Sequence, residues 1–103
     1  MSSDAPEPYR VFYSERVKER LRALVIRARD RGDGEAFLAA FREFDRRLRV
    51  YPQFGDPQND LAAEPGRVRI GIVPPISMRY AVFEERREVS VGALPVLLRK
   101  SPA

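Results

Sequence analysis

Three arginines in the C-terminal half of the chain, Arg67, Arg69 and Arg79, are the strongest candidates for a binding or catalytic site. An arginine guanidinium is planar and permanently charged, and its fork of N–H donors matches a phosphate or a carboxylate. It does not act as a general base at neutral pH. A cluster of arginines also repels itself and is stabilised by an anion or by interleaved carboxylates. The sequence therefore indicates anion binding at these positions.

The composition excludes several classes of enzyme. The 103 residues include no cysteine and no histidine. Disulfides, thiolate metal sites, cysteine nucleophiles, zinc hydrolases, Ser-His-Asp hydrolases and histidine-dependent ribonucleases are therefore excluded. The chain also has no glycine-rich phosphate loop, no G-x-S-x-G motif and no paired carboxylates of catalytic spacing. We expect neither a metal nor a cofactor.

The charge balance indicates an anionic partner. The chain has 19 lysines and arginines against 15 acidic residues, a net charge of +4 and a pI of about 10.0, and only Lys18 and Lys100 are lysines. A basic domain favours nucleic acid as a partner. The alternative is that these charges have no binding role and only keep the protein surface hydrated. No apolar run is long enough to span a membrane, and the polar N-terminus is unlike a secretory signal, so we expect no membrane contact and a cytoplasmic protein.

The chain is short enough for one domain. Residues 1–8 contain two prolines and no apolar periodicity, so they are predicted to be a disordered lead-in. Residues 9–103 are predicted to form a single domain.

The first half of this domain is predicted to contain one strand and two helices. A strand is predicted over 9–13, and a helix from Glu15 to Arg31 with Ser14 as its N-cap. A second helix is predicted from Glu35 to Val50, after a Gly-Asp-Gly break. One apolar stripe on each helix is expected to be buried. These stripes are Val17, Leu21, Leu24, Val25 and Ala28 in the first helix, and Phe37, Phe41, Phe44, Leu48 and Tyr51 in the second.

Arginines on the outer faces of these helices are interpreted as solvated residues with helical ion-pair partners. Glu15 with Lys18 and Glu43 with Arg47 are examples of such pairs. The arginines concerned are Arg20, Arg27, Arg31, Arg42, Arg46 and Arg49.

The second half is predicted to form three strands, over 66–73, 76–84 and 88–93, after a turn-rich connection over 53–65. The element order is β-α-α-β-β-β. The helical hairpin must bury its apolar stripes, and one face of the sheet is the available partner. The predicted fold class is therefore α+β, a two-layer sandwich with the hairpin on one face of a mainly antiparallel four-stranded sheet. The last ten residues, 94–103, are an apolar patch followed by a polar end, and the patch either covers a sheet edge or contacts a partner.

Alternation along the strands predicts what lies on the uncovered face of the sheet. We expect Val68, Ile70, Ile72, Met78, Tyr80, Val82, Val89 and Val91 to face the helices. The same alternation then turns the polar set outward. That set comprises Arg67, Arg69, Arg79, Glu88 and Ser90.

Such a face would bind phosphate or RNA, with Phe12 and Phe83 as stacking surfaces for bases. The alternative is an ordinary solvated face on which Arg67 or Arg79 pairs with Glu88 across strands.

Three segments of the chain resemble the RelE/ParE toxin superfamily of bacterial toxin–antitoxin systems, the group that includes plasmid-stabilisation proteins. They are the strand-to-helix segment YRVFYSERVKERL, the helix end LRVYPQFGDP and the strand region GRVRIGIVPPISMRYAVFEERREVSVGAL. Their order and spacing cover residues 9–94. The resemblance implies the RelE-like form of the α+β fold described above.

The resemblance also implies a function. A toxin of this superfamily is cytoplasmic and is neutralised by a cognate, largely helical antitoxin. In the RelE-like branch it enters the ribosomal A site and cleaves mRNA by attack of a ribose 2′-OH on the adjacent phosphate, whereas the ParE-like branch targets DNA gyrase and requires no ribonuclease site. Arg69 matches the position of a phosphate-contacting arginine, and Arg79 is a second candidate. As an mRNA endoribonuclease the chain would use Arg69 and Arg79 as catalytic residues and Arg67, Arg69 and Arg79 to bind RNA.

The chain also departs from the RelE-like nucleases. These often carry a tyrosine or histidine near the C-terminal end, and residues 94–103 contain neither. Lysines that flank the second strand in some members are replaced by arginines. A second function therefore stays open, that of a non-enzymatic RNA- or protein-binding module on the same fold.

Overall fold

The computed structural model of the protein describes residues 7–58, 67–93 and 95–97. The first six residues of the predicted lead-in, the second half of the predicted connection over 53–65, and most of the predicted C-terminal tail lie outside the described residues. Glu7 and Pro8 are described and exposed, and the Arg87 side chain donates a hydrogen bond of 2.8 Å from its Nε to the Glu7 carbonyl. Among the described residues, no helix is long and apolar enough to cross a membrane.

Both predicted helices are confirmed, with small changes at their ends. Helix α1 spans Glu15–Asp30, and Ser14 caps it by accepting a hydrogen bond of 3.2 Å from the Val17 amide. Helix α2 spans Gly34–Val50. The predicted place of Tyr51 in the buried seam is wrong. Helix α2 ends at Val50, and the chain then turns into a short 3-10 helix, Pro52–Phe54, which leaves the Tyr51 side chain 60% exposed.

The sheet is mixed and has six strands rather than four. The strands are β1 (Arg10–Tyr13), β2 (Asp56–Pro57), β3 (Arg67–Val73), β4 (Ile76–Phe83), β5 (Glu88–Val91) and β6 (Val96–Leu97). Their order is β1-β5-β4-β3-β2, and β6 pairs with the first residues of β4. β1 and β5 run parallel, and the other pairs are antiparallel. The two-residue strands β2 and β6 are too short for a periodic signal.

One face of the sheet is covered by α2. This helix contacts β1, β3 and β4, whereas α1 packs mainly against α2. Phe37, Phe44 and Leu48 of α2 are buried against the inward side chains of the central strands. On those strands the predicted inward set is confirmed: Met78, Tyr80, Val82, Val89 and Val91 are all buried.

The prediction for β3 is wrong, because the strand is turned over. Arg69 pairs with the buried Tyr80 and Gly71 with the buried Met78, so these residues share the helix-covered face. Val68, Ile70 and Ile72 pair with Ala81, Arg79 and Ser77 and lie on the other face. The reason is steric. A β-carbon on Gly71 would lie 2.7 Å from Phe54 Cζ and 2.9 Å from Phe44 Cζ, so only a residue without a side chain fits under these rings.

Candidate functional site

Arg69 is held in a structural role on the helix-covered face. Its Nη1 donates hydrogen bonds to the carbonyl oxygens of Gln53, at 3.1 Å, and Gly55, at 2.6 Å. These carbonyls belong to the turn that follows α2. The guanidinium therefore fixes this turn against β3, and part of its donor capacity is used within the protein.

Tyr80 fixes the same turn from β4. Its hydroxyl donates to the Pro52 carbonyl at 2.6 Å and accepts from the Gly55 amide at 3.1 Å. Burial raises the pKa of Tyr80 to about 12. The sequence already placed Tyr80 in the core, and the structure adds that its hydroxyl donates and accepts within the protein.

Aromatic rings complete this cluster. The Phe54 ring stacks on Tyr80 with centroids 6.0 Å apart, and Phe44 meets both rings edge-on, at 5.6 and 6.3 Å. The Arg47 guanidinium lies 5.4 Å from the centroid of Phe54 and covers that ring from outside. The cluster is thus a packed core around the turn, and it positions β3 and β4 rather than binding a ligand.

Arg79 lies on the opposite face of the sheet from Arg69. Its side chain is exposed, and it forms no ion pair or side-chain hydrogen bond with any described residue. The strand opposite it is interrupted, since β5 ends at Val91 and β6 begins at Val96. A shallow cavity of about 190 Å³ opens at this gap, lined by Ile70, Ser77, Arg79, Ala93 and Val96.

We call the uncovered side of the sheet the open face, and its surroundings near Arg79 are apolar. Ile72, Ser77 and Val96 lie side by side across three strands. Ile72 is 47% exposed and Val96 60% exposed. The next positions along the strands bring Ile70 beside Arg79 and Val68 beside Ala81. Single exposed apolar residues are common, but a contiguous group around one cation is typical of a binding surface.

The other end of the open face carries charges that neutralise one another. Glu88 accepts hydrogen bonds from Arg10 at 2.5 Å and from Arg86 at 3.1 Å. The Arg86 guanidinium also lies over the Phe83 ring, 4.5 Å from its centroid. The predicted pairing of Arg67 or Arg79 with Glu88 is therefore wrong for Arg79, because Arg10 and Arg86 occupy that carboxylate.

The aromatic residues predicted to stack on bases differ in their availability. Phe12 is 51% exposed on β1, opposite Ser90 on the open face. Phe83 is half-buried and is the ring that Arg86 covers. Phe12 is therefore the aromatic side chain of this pair that is open to a partner.

The predicted site residues are not brought together. Arg69 and Arg79 were expected on one face, and the pairing register places them on opposite faces. The backbone of Arg67 pairs with that of Val82 on β4. Within residues 7–58, 67–93 and 95–97, no group of three or more histidine, cysteine, aspartate and glutamate side chains could hold a metal ion.

Sequence reasoning missed the apolar residues that surround Arg79, because alternation assigned Ile70 and Ile72 to the core. Gly71 was the available signal. A glycine inside a strand often marks close approach of another group to the backbone, and here the rings of Phe44 and Phe54 make that approach.

No protein-family model and no curated protein sequence is significantly similar to this chain.

Proposed function

We propose that the protein is a RelE/ParE-like toxin that acts by binding a macromolecular partner with the open face of its sheet, and not by cleaving RNA. The observation that carries the proposal is the placement of Arg69 and Arg79 on opposite faces. A toxin of this kind acts in the cytoplasm, and its resemblance to the superfamily implies a cognate, largely helical antitoxin.

The arrangement of polar groups argues against a ribonuclease. Attack of a 2′-OH on a phosphate needs a base, an acid for the leaving group and cations that converge on the phosphate. Arg69 is bonded to two backbone carbonyls, and the Tyr80 hydroxyl is bonded to Pro52 and Gly55. Arg79 lies on the other face, so these three groups cannot converge on one phosphate.

The open face suits a protein partner. Ile72 and Val96 offer exposed apolar surface on either side of Ser77, and Arg79 adds one cation beside the shallow cavity. A partner that presents a carboxylate among apolar side chains would bury the apolar surface and pair with Arg79. The ParE-like branch, in which the target is gyrase, is the branch that this chemistry favours.

Controlled expression in a bacterial host tests the proposal. We expect growth arrest, with no new cleavage sites when the 5′ ends of ribosome-bound mRNA are mapped. Purified protein added to a gyrase supercoiling assay then shows whether gyrase is the target. Cleavage of mRNA on translating ribosomes would contradict the proposal. Unimpaired growth would remove the toxin function and leave a non-enzymatic binding module.

A ribosome-dependent mRNA interferase is the second candidate. The exposed guanidinium of Arg79, which has no carboxylate partner among the described residues, favours it, because a cation must neutralise the charge that develops on the phosphate. In that case Arg79→Gln would abolish cleavage of message on purified ribosomes. Arg42→Gln, which removes an exposed arginine on α2 instead, would leave cleavage unchanged.

A further inference from the structure

Helix α1 and the residue that caps its C-terminal end, Arg31, carry a net charge equal to that of the whole protein. Residues 15–31 include seven of the 19 basic residues and three of the 15 acidic residues. Their net charge is +4, the same as that of the whole chain, so the remaining residues are balanced. A concentration of charge on one helix produces a local positive potential that a uniform distribution would not.

Among the described residues, the arginines of α1 form no ion pairs of the kind that α2 has. Within the described residues, the α1 cation with a carboxylate partner is Lys18, which bonds to Glu15 at 3.2 Å. On α2, by contrast, Glu43 binds Arg46 and Arg47 at 2.8 and 2.6 Å, and Asp45 binds Arg49 at 2.8 Å. Among the described residues, Arg46, Arg47 and Arg49 of α2 are thus neutralised, whereas no arginine of α1 has a carboxylate partner.

Four of these arginines form a row along one side of α1. Their spacings of four, seven and four residues return to the same side of a helix with 3.6 residues per turn. The row is about 22 Å long, and it borders the buried stripe of Val17, Leu24 and Ala28. Three of its members are exposed and Arg20 is half-buried. The row consists of Arg16, Arg20, Arg27 and Arg31.

We propose that this arginine row binds the phosphate backbone of a nucleic acid. Guanidinium forks match phosphate oxygens, and a row of this length faces several consecutive phosphates of either a single strand or a duplex. Contacts to phosphate oxygens carry no sequence information, so this binding is independent of nucleotide sequence.

A membrane surface fits this helix less well. An interfacial helix inserts an apolar face into the lipid, but the apolar stripe of α1 is buried in the protein. Ile26 is 58% exposed on the outer side, and it lies between Glu19 and Asp30 on the helix surface. Anionic lipid would repel these two carboxylates.

The arginine row is separate from the open face. α1 packs on α2, which covers the opposite side of the sheet from Arg79. The inference therefore goes beyond the proposed function and does not depend on it. It predicts that the protein has two surfaces, one for a protein partner and one for nucleic acid.

Fluorescence anisotropy with a labelled single-stranded RNA and a duplex DNA of the same sequence tests the inference. For four phosphate contacts, the logarithm of the binding constant should fall with the logarithm of salt concentration with a slope of about −3 to −4. The variant Arg16→Gln/Arg27→Gln should bind about tenfold more weakly, with a slope smaller by about 2. Comparison of the affinities for the RNA and for the DNA shows which nucleic acid the protein prefers.

The matched control is Arg42→Gln/Arg46→Gln on α2, which lowers the net charge by the same two units. It should change affinity by less than about twofold, because it leaves the arginine row intact. Circular dichroism shows whether both variants keep their helices. The inference would be overturned if both variants lost the same affinity or if the binding constant did not depend on salt. Binding to phosphatidylserine vesicles but to neither nucleic acid would also overturn it. The variant Arg79→Glu should bind RNA and DNA with the slope of the parent protein.

Discussion

Arg69 and Arg79 lie on neighbouring strands, and their side chains point to opposite faces of the sheet. The cause is the register, in which Arg69 pairs with Tyr80 and Arg79 with Ile70. One guanidinium consequently stabilises a turn, and the other is exposed beside a shallow cavity. This division of roles has direct consequences for stability and for function.

Replacing Arg69 should destabilise the fold, and replacing Arg79 should not. Arg69→Ala removes the charged donor that bonds to the Gln53 and Gly55 carbonyls, and we expect a loss of about 2 kcal/mol in the free energy of unfolding. Arg79→Ala should change it by less than about 0.5 kcal/mol. Urea denaturation followed by circular dichroism measures both, and equal effects would show that the assigned roles are wrong.

Gly71 should tolerate no side chain. The β-carbon of Gly71→Ala would lie 2.7 Å from Phe54 Cζ and 2.9 Å from Phe44 Cζ, so the rings or the strand must move. We expect a loss of about 1–3 kcal/mol in the free energy of unfolding.

Gly92→Ala is the control for this substitution, because no described atom lies within 4 Å of the β-carbon it would add. Thermal unfolding of the two variants should therefore separate them clearly. A Gly71→Ala variant as stable as the Gly92→Ala variant would mean that the Phe44 and Phe54 rings do not pack on β3 as described.

The Tyr80 hydroxyl should make stability sensitive to alkaline pH. Because burial raises the pKa of Tyr80 from 10.0 to about 12, the neutral phenol is favoured in the folded state. Its contribution is complete below about pH 10, where the unfolded chain also keeps the proton, and is lost as pH rises towards 12.

Tyr80→Phe tests this dependence. At neutral pH it should cost about 1–3 kcal/mol, because the Pro52 carbonyl and the Gly55 amide lose their buried partner. The difference in free energy of unfolding between the parent protein and the variant should then shrink between pH 10 and 12. A difference that stays constant over this range would contradict a raised pKa.

The ion pairs of α2 should weaken in acid. Hydrogen bonds from Arg46 and Arg47 lower the pKa of Glu43 from 4.5 to about 2. The stabilisation from this carboxylate is complete above about pH 4.5 and is lost as pH falls towards 2.

Glu43→Gln should remove that part of the acid sensitivity. The comparison is Glu19→Gln, which replaces a helical carboxylate that has no ion pair among the described residues. Urea denaturation between pH 2 and 5 measures the difference, and identical pH profiles for the two variants would count against the lowered pKa of Glu43.

The helices and the central strands could be predicted from the sequence because their signals are local. Ser14 marks the start of α1, the Gly-Asp-Gly break separates the helices, and alternation assigns the faces of β4 and β5. The orientation of β3 could not be predicted in this way, because its apolar residues alternate with arginine and glycine. The strand does alternate, but its aliphatic residues Val68, Ile70 and Ile72 lie on the open face of the sheet.

Two physical effects decide that orientation, and neither is visible in a hydrophobic pattern. The Phe44 and Phe54 rings need a position without a side chain, which Gly71 supplies. The turn after α2 needs donors for its carbonyls, which Arg69 supplies with a long side chain that reaches past the core. Both effects involve partners distant in sequence. Of the candidate site, the outward face of Arg79 was therefore predicted from the sequence, whereas the apolar side chains around it required the structure.

A growth assay of two matched charge reversals under controlled expression tests whether the toxin binds its partner with the open face of the sheet. Arg79→Glu reverses the cation on the open face, and Arg42→Glu reverses an exposed arginine on α2. Neither arginine has an ion pair among the described residues, so both variants should fold. We predict that Arg79→Glu abolishes growth arrest and that Arg42→Glu arrests growth as the parent protein does. Full arrest by a folded Arg79→Glu variant would contradict the assignment of the open face as the binding surface.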